Sequence, residues 1–187
     1  MKLLLTTFLT LFSFVCFSQN CDYSSNINDS IGTYKSTKDV LMQERIFGNK
    51  TTLLFFSLDK TDNLKSLNFQ LIEKSNDFIS VNCLDKNSKI YFQLENGKIV
   101  TLIHSKTDAC GVAVRDEKGN NNRITSTNFY FLDNAIAELK GSPISFMRVK
   151  YGIATKDYVI KQELTSELDK KKYNPSNFFI DYLRCVE

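Results

Sequence analysis

The sequence contains few of the residues on which most enzymes and metal centres depend. Only one histidine, His104, is present, and tryptophan is absent. No Cys-x-x-Cys pair and no two histidines at ligand spacing occur, which argues against a zinc site and against a thioredoxin-like redox centre. No Gly-x-Gly sequence occurs either, so a glycine loop that cradles phosphate is not expected. We therefore expect no bound cofactor and no metal.

Proline, glycine and net charge are also low. Two prolines and seven glycines leave no linker-like stretch, and no internal repeat or low-complexity tract divides the chain. The formal charge of +3 falls to +2 if Lys2 is removed with a leader, and residues of both signs are spread along the chain. This distribution gives no electrostatic footprint for nucleic acid. We expect a single domain with no nucleic-acid partner.

The first 19 residues predict a cleavable signal peptide. Lys2 is followed by an apolar, uncharged run of roughly 15 residues and then by the polar Ser18-Gln19. The run is shorter than the ~20 residues of a membrane-spanning helix, and no later segment approaches that length. A permanent N-terminal anchor is the alternative, but the segment that follows is polar and turn-like. The expected mature protein is periplasmic or extracellular and has no transmembrane segment.

Cysteine is the one chemically informative residue type that is well represented. Cys16 leaves with the signal peptide, and neither Cys16 nor Cys21 follows the small residues of a lipoprotein cleavage site. The mature chain keeps Cys21, Cys83, Cys110 and Cys185. An even number of cysteines in an oxidising compartment predicts two structural disulfides. Four cysteines allow three connectivities, and the sequence does not choose among them.

The clearest local signal is a β-hairpin in the middle of the chain. Segments 89–95 and 98–104 flank Asn96-Gly97, which is typical of a two-residue type I′ turn. In that register the core-facing pairs are Leu94–Ile99, Phe92–Thr101 and Ile90–Ile103.

Several other segments show strand or helix patterns. Alternation predicts strands at 67–71 and 79–83, and an apolar run predicts a central strand at Thr52–Leu58. For 40–47, a hairpin turning at Gly48-Asn49 is favoured over a helix. A short helix capped by Asp133 ends at Gly141, strands follow at 144–151 and 158–164, and Asn174-Pro175 begins a closing helix.

These elements predict an α+β fold. We expect an antiparallel β-sheet of about 6–8 strands with two or three helices, one of them at the C-terminus. The signal peptide occupies 1–19, a polar N-terminal arm 20–32, and a single α+β domain 33–187.

No residue set in the sequence predicts catalysis, and we assign no catalytic residue. His104 would lie opposite Lys89 at the end of its strand, as an exposed or edge histidine; as a general base it would need Ser105 or Ser88 within reach. Asp108 and Asp116-Glu117 are the acidic candidates for hydrolysis, but both lie in expected loops. Segments 85–88 and 117–123 carry oxygen ligands without the spacing of a calcium loop, so we interpret both as turns.

Two features resemble a known group of proteins. A leader that ends in Phe17-Ser18-Gln19, before a chain rich in Asn, Lys and Ile, resembles small exported proteins of unknown function from Bacteroidota such as flavobacteria. Asp29-Ser30-Ile31 also matches the Asp-Ser/Thr-apolar pattern on which those bacteria attach O-glycans. The resemblance implies Ser30 as a candidate O-glycosylation site in the polar arm, where a glycan would be tolerated. It supplies no activity.

Together these observations favour a secreted or envelope-located, non-enzymatic protein that binds an unidentified protein or envelope partner. Two alternatives stay open. One is a small secreted hydrolase that uses acidic residues, and the other is an inhibitor or immunity-type protein that blocks another secreted enzyme.

Overall fold

The computed structural model describes residues 21–187, so the predicted signal peptide and Cys16 lie outside the described part. Most of the described chain forms antiparallel β-strands, eleven of which join in one sheet. The strands are β1 (Tyr23–Asn28), β2 (Thr33–Thr37), β3 (Val40–Phe47), β4 (Lys50–Thr61), β5 (Leu64–Ser75), β6 (Lys89–Leu94), β7 (Ile99–His104), β8 (Val112–Arg115), β9 (Asn121–Phe131), β10 (Ile144–Lys150), β11 (Thr155–Val159), β12 (Leu164–Thr165) and β13 (Lys172–Tyr173). The helices are α1 (Ala135–Gly141) and α2 (Phe178–Tyr182), with 3₁₀ turns at Pro175–Asn177 and Leu183–Val186.

The predicted α+β fold with 6–8 strands is wrong, because the sheet is larger and the described helices are two short segments. Strands β1 and β9 were missed since their sequences, YSSNIN and NNRITSTNFYF, are mostly polar and show little apolar alternation. Polar side chains are tolerated there because one face of an antiparallel sheet can meet water. The polar segment at 20–32 thus contributes β1, which pairs with β2.

The sheet curls so that its two halves face each other across one core. Its strand order is β1-β2-β4-β5-β9-β7-β6-β10-β11, with β3 also paired to β4 and β8 to β9. Phe56 on β4 and Phe92 on β6 lie four strands apart in this order, yet their ring centroids are 6.0 Å apart. Contact over that many strands requires a concave inner face. The core fills this concavity.

The C-terminal segment closes one end of the concave face, which we call the closed end. Phe178 packs edge-on against Phe56 at 5.6 Å, and Phe179 against Phe92 at 5.1 Å. Both phenylalanines are buried. The Cys21–Cys185 disulfide joins the start of the described chain to this end.

Two loops cover much of the opposite end, which we call the open end. Residues 76–88 and 105–111 are joined by the Cys83–Cys110 disulfide and by the Leu84–Ala109 bridge. Segment 79–83 is therefore part of a covering loop, and its predicted strand is wrong. The prediction of disulfide bonds among the four mature cysteines is confirmed, and the structure selects one of the three connectivities.

The predicted central hairpin is present, but its predicted register is wrong by one residue. Ile99 pairs with Gln93, and Leu102 pairs with Ile90. The loop is closed by a hydrogen bond from the Leu94 amide to the Lys98 carbonyl, which encloses three residues, 95–97. A one-residue shift exchanges the two faces of a strand. Val100 and Leu102 therefore face the core, and Ile99 faces solvent.

The remaining predictions have mixed outcomes. The β3–β4 hairpin, the central strand at Thr52–Leu58 and the helix that ends at Gly141 are confirmed. Asp133 does not cap that helix, since Asn134 occupies the N-cap without a side-chain hydrogen bond. The strand predicted at 158–164 is displaced toward the N-terminus and forms β11. Of the helices in residues 21–187, none has the length and apolar character needed to cross a membrane.

Candidate functional site

The concave face changes from apolar to polar as it approaches the open end. On β4 the inward positions run from Phe56 and Leu54 to Thr52 and Lys50, and on β5 Leu71 is followed by Glu73. The same two-residue period that buries the core therefore carries polar side chains into the end of the concavity. A polar residue at a core-facing position is informative, because burying it requires partners.

These side chains line a cleft of about 410 Å³ between β3–β5 on one side and β11 on the other. Lys50, Thr52 and Glu73 come from the first side, and Lys156 and Tyr158 come from the second. A volume of this size falls within the range of ~300–1,000 Å³ that is typical of small-molecule sites. The cleft is therefore large enough for a small organic ligand.

Glu73 is the buried charge of the cleft. Only 5% of the residue is exposed, and one carboxylate oxygen lies 3.6 Å from Lys156 Nζ and 3.9 Å from Lys50 Nζ. The contact with Lys156 crosses the cleft from β5 to β11. A buried carboxylate needs such partners, because removing a charge from water is costly. Glu73 thus holds two ammonium groups at the cleft wall.

The cleft carries an excess of positive charge. Arg45 also lines it and forms no ion pair with any carboxylate of residues 21–187. Asp157 lies at its edge, but both of its carboxylate oxygens bind the Arg148 guanidinium at 2.7 Å. Arg148 lowers the pKa of Asp157 through these hydrogen bonds. Arg45, Lys50 and Lys156 therefore share one buried carboxylate, that of Glu73. The resulting excess of positive charge favours the binding of an anion.

Two buried tyrosines lie beside this charge cluster. Lys156 Nζ lies 5.6 Å from the centre of the Tyr151 ring, and the Tyr151 and Tyr158 side chains are neighbours. Burial raises the pKa of each phenol, so both are neutral donors at neutral pH. The Tyr151 hydroxyl is buried without a hydrogen bond of ordinary geometry to any group in residues 21–187. Its nearest polar interaction is with Tyr158, which affects the pKa values of both phenols.

His104 is buried, so its predicted exposed or edge position is wrong. Only 4% of the residue is exposed, and Nε2 lies 2.7 Å from the hydroxyl oxygen of Thr127. The cause is the register shift, which turns His104 to the core face and places Ile103 opposite Lys89. Burial lowers the pKa of His104, against the opposing effects of the Asp85 backbone and the Asp85 and Asp108 charges. A neutral imidazole follows.

The serines proposed as partners of His104 do not form a catalytic pair with it. Ser105 Oγ lies 3.4 Å from the Thr127 hydroxyl, and Ser88 Oγ accepts a hydrogen bond from the Asp85 amide. A nucleophile must reach substrate as well as its base. His104 and Ser88 are both buried, so neither is exposed to a substrate in this structure.

The acidic candidates occupy turns, away from the cleft lining. Asp116 accepts hydrogen bonds from Lys74 and Asn120. These bonds, with that from Lys74 having the larger effect, hold the pKa of Asp116 well below the usual range. Asp85 accepts the Asn87 amide in a similar turn, and Asp108 lies in an exposed loop. The interpretation of segment 85–88 as a turn agrees with these hydrogen bonds. For segment 117–123 it holds only for the first residues, because 121–123 belong to β9. Within residues 21–187 no cluster of His, Cys, Asp or Glu fits a metal ion.

Ser30 lies in the exposed turn between β1 and β2, where Asp29 Oδ1 accepts the amides of Ile31 and Gly32. Its O-glycosylation stays a prediction.

A second, more open groove of about 610 Å³ lies over Tyr91, Ile99 and Phe146 on the outer face of the sheet. It lacks buried charge.

Comparisons with known proteins give no indication of function. No family model, no curated protein and no solved structure matches the chain.

The sequence did not predict the cleft, because Glu73 and Lys156 come together only when the sheet curls. The available signal was the core-facing position of Glu73 after Leu67, Phe69 and Leu71.

Proposed function

We propose that this chain is an exported, non-enzymatic binding protein and that the cleft between β3–β5 and β11 holds a small anionic ligand. The observation that carries the proposal is the set of three cations, Arg45, Lys50 and Lys156, around a single buried carboxylate. An anion that entered the cleft would neutralise the excess charge. The Tyr151 hydroxyl is buried nearby, beside Tyr158.

The composition of the cleft supports binding over catalysis. Both carboxylates that line it are bonded to cations, whereas hydrolysis by a carboxylate pair requires one group that keeps a proton near neutral pH. The single histidine is buried against Thr127. Two disulfides in a sheet of this size support a rigid scaffold and an oxidising compartment.

The proposal is tested by titrating the disulfide-bonded protein with anilinonaphthalene sulfonate, an aromatic anion whose fluorescence reports binding. We expect saturable binding that weakens at high salt, since exposed charges are screened. Arg45→Gln should weaken binding about tenfold, which corresponds to the loss of one charge-assisted hydrogen bond of about 1.4 kcal/mol. Arg45 forms no ion pair in residues 21–187, so its loss should leave folding intact.

Lys172→Gln is the matched control, because the Lys172 ammonium pairs with the exposed Glu163 at 3.2 Å, outside the cleft. Equal affinities for the native protein, Arg45→Gln and Lys172→Gln would contradict the proposal. Binding that does not respond to salt would contradict it as well.

A further inference from the structure

Three large apolar side chains are exposed on turns at the open end of the sheet, the end that holds the cleft. Phe47 is 77% exposed, Phe78 83% and Ile153 93%. We call these three residues the rim. Apolar side chains that are exposed to this degree bury little of their surface in the fold. They contribute little to its stability and are available to another surface.

The rim residues lie on three separate turns at the open end. Phe47 ends β3, Phe78 follows β5, and Ile153 lies between β10 and β11. Asn49 Nδ2 donates to Asp77 Oδ2 at 2.9 Å, which ties the first turn to the second. The Gly152 amide donates to the Cys83 carbonyl at 3.1 Å, which ties the third turn to the loop after β5. The Cys83–Cys110 disulfide holds that loop.

Positive charge lies inside the rim. Arg45, Lys50 and Lys156 line the cleft, and Phe47 lines it too. Asp77 and Asp85 also lie at this end; each accepts a hydrogen bond from a neutral amide and keeps its negative charge outside the cleft lining. Apolar tips around a cationic centre match a lipid surface, where aromatic side chains insert at the interface and cations bind acidic headgroups.

We propose that the open end docks on an anionic lipid bilayer, with the rim inserted and the cleft cations against the headgroups. A protein partner is the weaker match, because a protein interface buries a contiguous apolar patch and the rim presents isolated tips separated by polar residues. The inference goes beyond the proposed function. It uses the same cations but does not require a soluble ligand to bind.

Vesicle co-sedimentation tests the inference. The disulfide-bonded protein is mixed with vesicles of equal parts phosphatidylglycerol and phosphatidylcholine, or of phosphatidylcholine alone. We expect sedimentation with the anionic vesicles and at least about tenfold weaker partitioning into the neutral ones. Phe78→Ser with Ile153→Ser should reduce binding to anionic vesicles by about tenfold or more. Both residues are exposed, so the variant should fold.

Ile99→Ser with Val159→Ser is the matched control. Both residues are similarly exposed but lie on the outer face of the sheet, away from the rim. The control should sediment like the native protein. Failure of the native protein to sediment with anionic vesicles, or equal losses in the rim and control variants, would overturn the inference.

The fluorescent anion separates this inference from the proposed function. Phe78→Ser with Ile153→Ser leaves the cleft lining unchanged, so it should bind the probe as the native protein does while losing vesicle binding. A native protein that binds the probe but no vesicle refutes docking alone. One that binds anionic vesicles through the rim but no probe refutes the soluble-ligand proposal alone.

Discussion

The two ends of the curled sheet contrast in what fills them. At the closed end Phe178 and Phe179 pack against Phe56 and Phe92 in edge-on contacts of 5.1–5.6 Å. At the open end the inward positions hold Glu73 and its lysine partners, with a cleft beside them. One end is packed like the interior of a protein, and the other keeps charge and open space.

The contrast assigns stability mainly to the closed end and recognition mainly to the open end. Aromatic packing contributes to folding without offering chemistry to a partner, whereas buried charge is costly to the fold and is informative about function. Each end also has its own disulfide, so the two can be perturbed independently. Variants at each end should therefore separate loss of stability from loss of binding.

Removing the closed-end disulfide should cost the most stability. Cys21→Ser with Cys185→Ser opens a link between residues 164 apart, which the chain-entropy model converts to about 5 kcal/mol in the free energy of unfolding. Cys83→Ser with Cys110→Ser opens a separation of 27 residues and should cost about 3.5 kcal/mol. Urea denaturation measures both values. A larger loss from the second pair would break the contrast between the ends.

Shortening a core aromatic at the closed end should follow closely. Phe179→Ala leaves a cavity among Phe92, Phe131 and Phe178 and should lower the free energy of unfolding by about 3–5 kcal/mol. Phe78→Ala is the open-end control, since that ring is solvent-exposed, and should change stability by less than about 0.5 kcal/mol. Thermal and urea denaturation would reveal a failure if the two variants behaved alike.

Gly111 tests how tightly the open-end loop is fitted. Its φ is +74°, and a Cβ would collide with the Thr125 hydroxyl, so Gly111→Ala should cost about 2 kcal/mol. Gly48→Ala shares the positive φ, at +57°, but its Cβ would meet nothing within 4 Å. It should cost only about 1 kcal/mol. Equal losses in urea denaturation would show that the loop has room to adjust.

The smallest expected effect is a pH dependence from His104. Burial lowers the folded-state pKa of His104 below the ordinary value of 6.5, so the unfolded chain binds the proton more readily. His104 therefore contributes stability above about pH 6.5 that is lost as pH falls, by at most about 1.4 kcal/mol per pH unit.

His104→Gln should remove this acid-side loss. Measuring the free energy of unfolding at pH 7.5, 6.5 and 5.5 for both proteins isolates it, because Asp59 and Asp181, whose pKa values burial raises, are common to the two. Parallel pH curves would show that His104 does not titrate on unfolding.

Local patterns in the sequence predicted several elements correctly. Gly48-Asn49 marked a hairpin, the apolar run at Thr52–Leu58 marked a central strand, and Asn174-Pro175 marked the closing helical segment. Each signal depends only on neighbouring residues. The fold class was wrong because polar strands on a curled sheet lack the alternation that identifies half-buried strands.

The hairpin register failed for a physical reason that also misplaced the histidine. Segment 99–103 reads Ile-Val-Thr-Leu-Ile, with apolar residues on both faces, so alternation could not select one. Asn96-Gly97 favoured a two-residue loop, whereas the hydrogen bond from the Leu94 amide to the Lys98 carbonyl encloses three residues. Tertiary packing decides between them by burying Val100 and Leu102. His104, two residues further, follows them inward.

The cleft could not be predicted from local patterns. Its two sides come from β3–β5 and from β11, and β11 lies five strands from β5 in the sheet order. Only the curl of the sheet brings Lys156 to Glu73. A charged residue in a run of core-facing positions was the sole local hint.

The two sulfur bridges impose an order on oxidative folding. Loop closure becomes less probable as the separation grows, so Cys83 meets Cys110 well before Cys21 finds Cys185. Before the Cys21–Cys185 bond forms, Cys21 can form a non-native disulfide, and the C-terminal helical turns are not yet linked to the N-terminal strand. Refolding from reduced protein should therefore accumulate a species with one disulfide. In that species Cys83–Cys110 already joins the loops beside the cleft, and Cys21–Cys185 at the opposite end of the sheet has not yet formed.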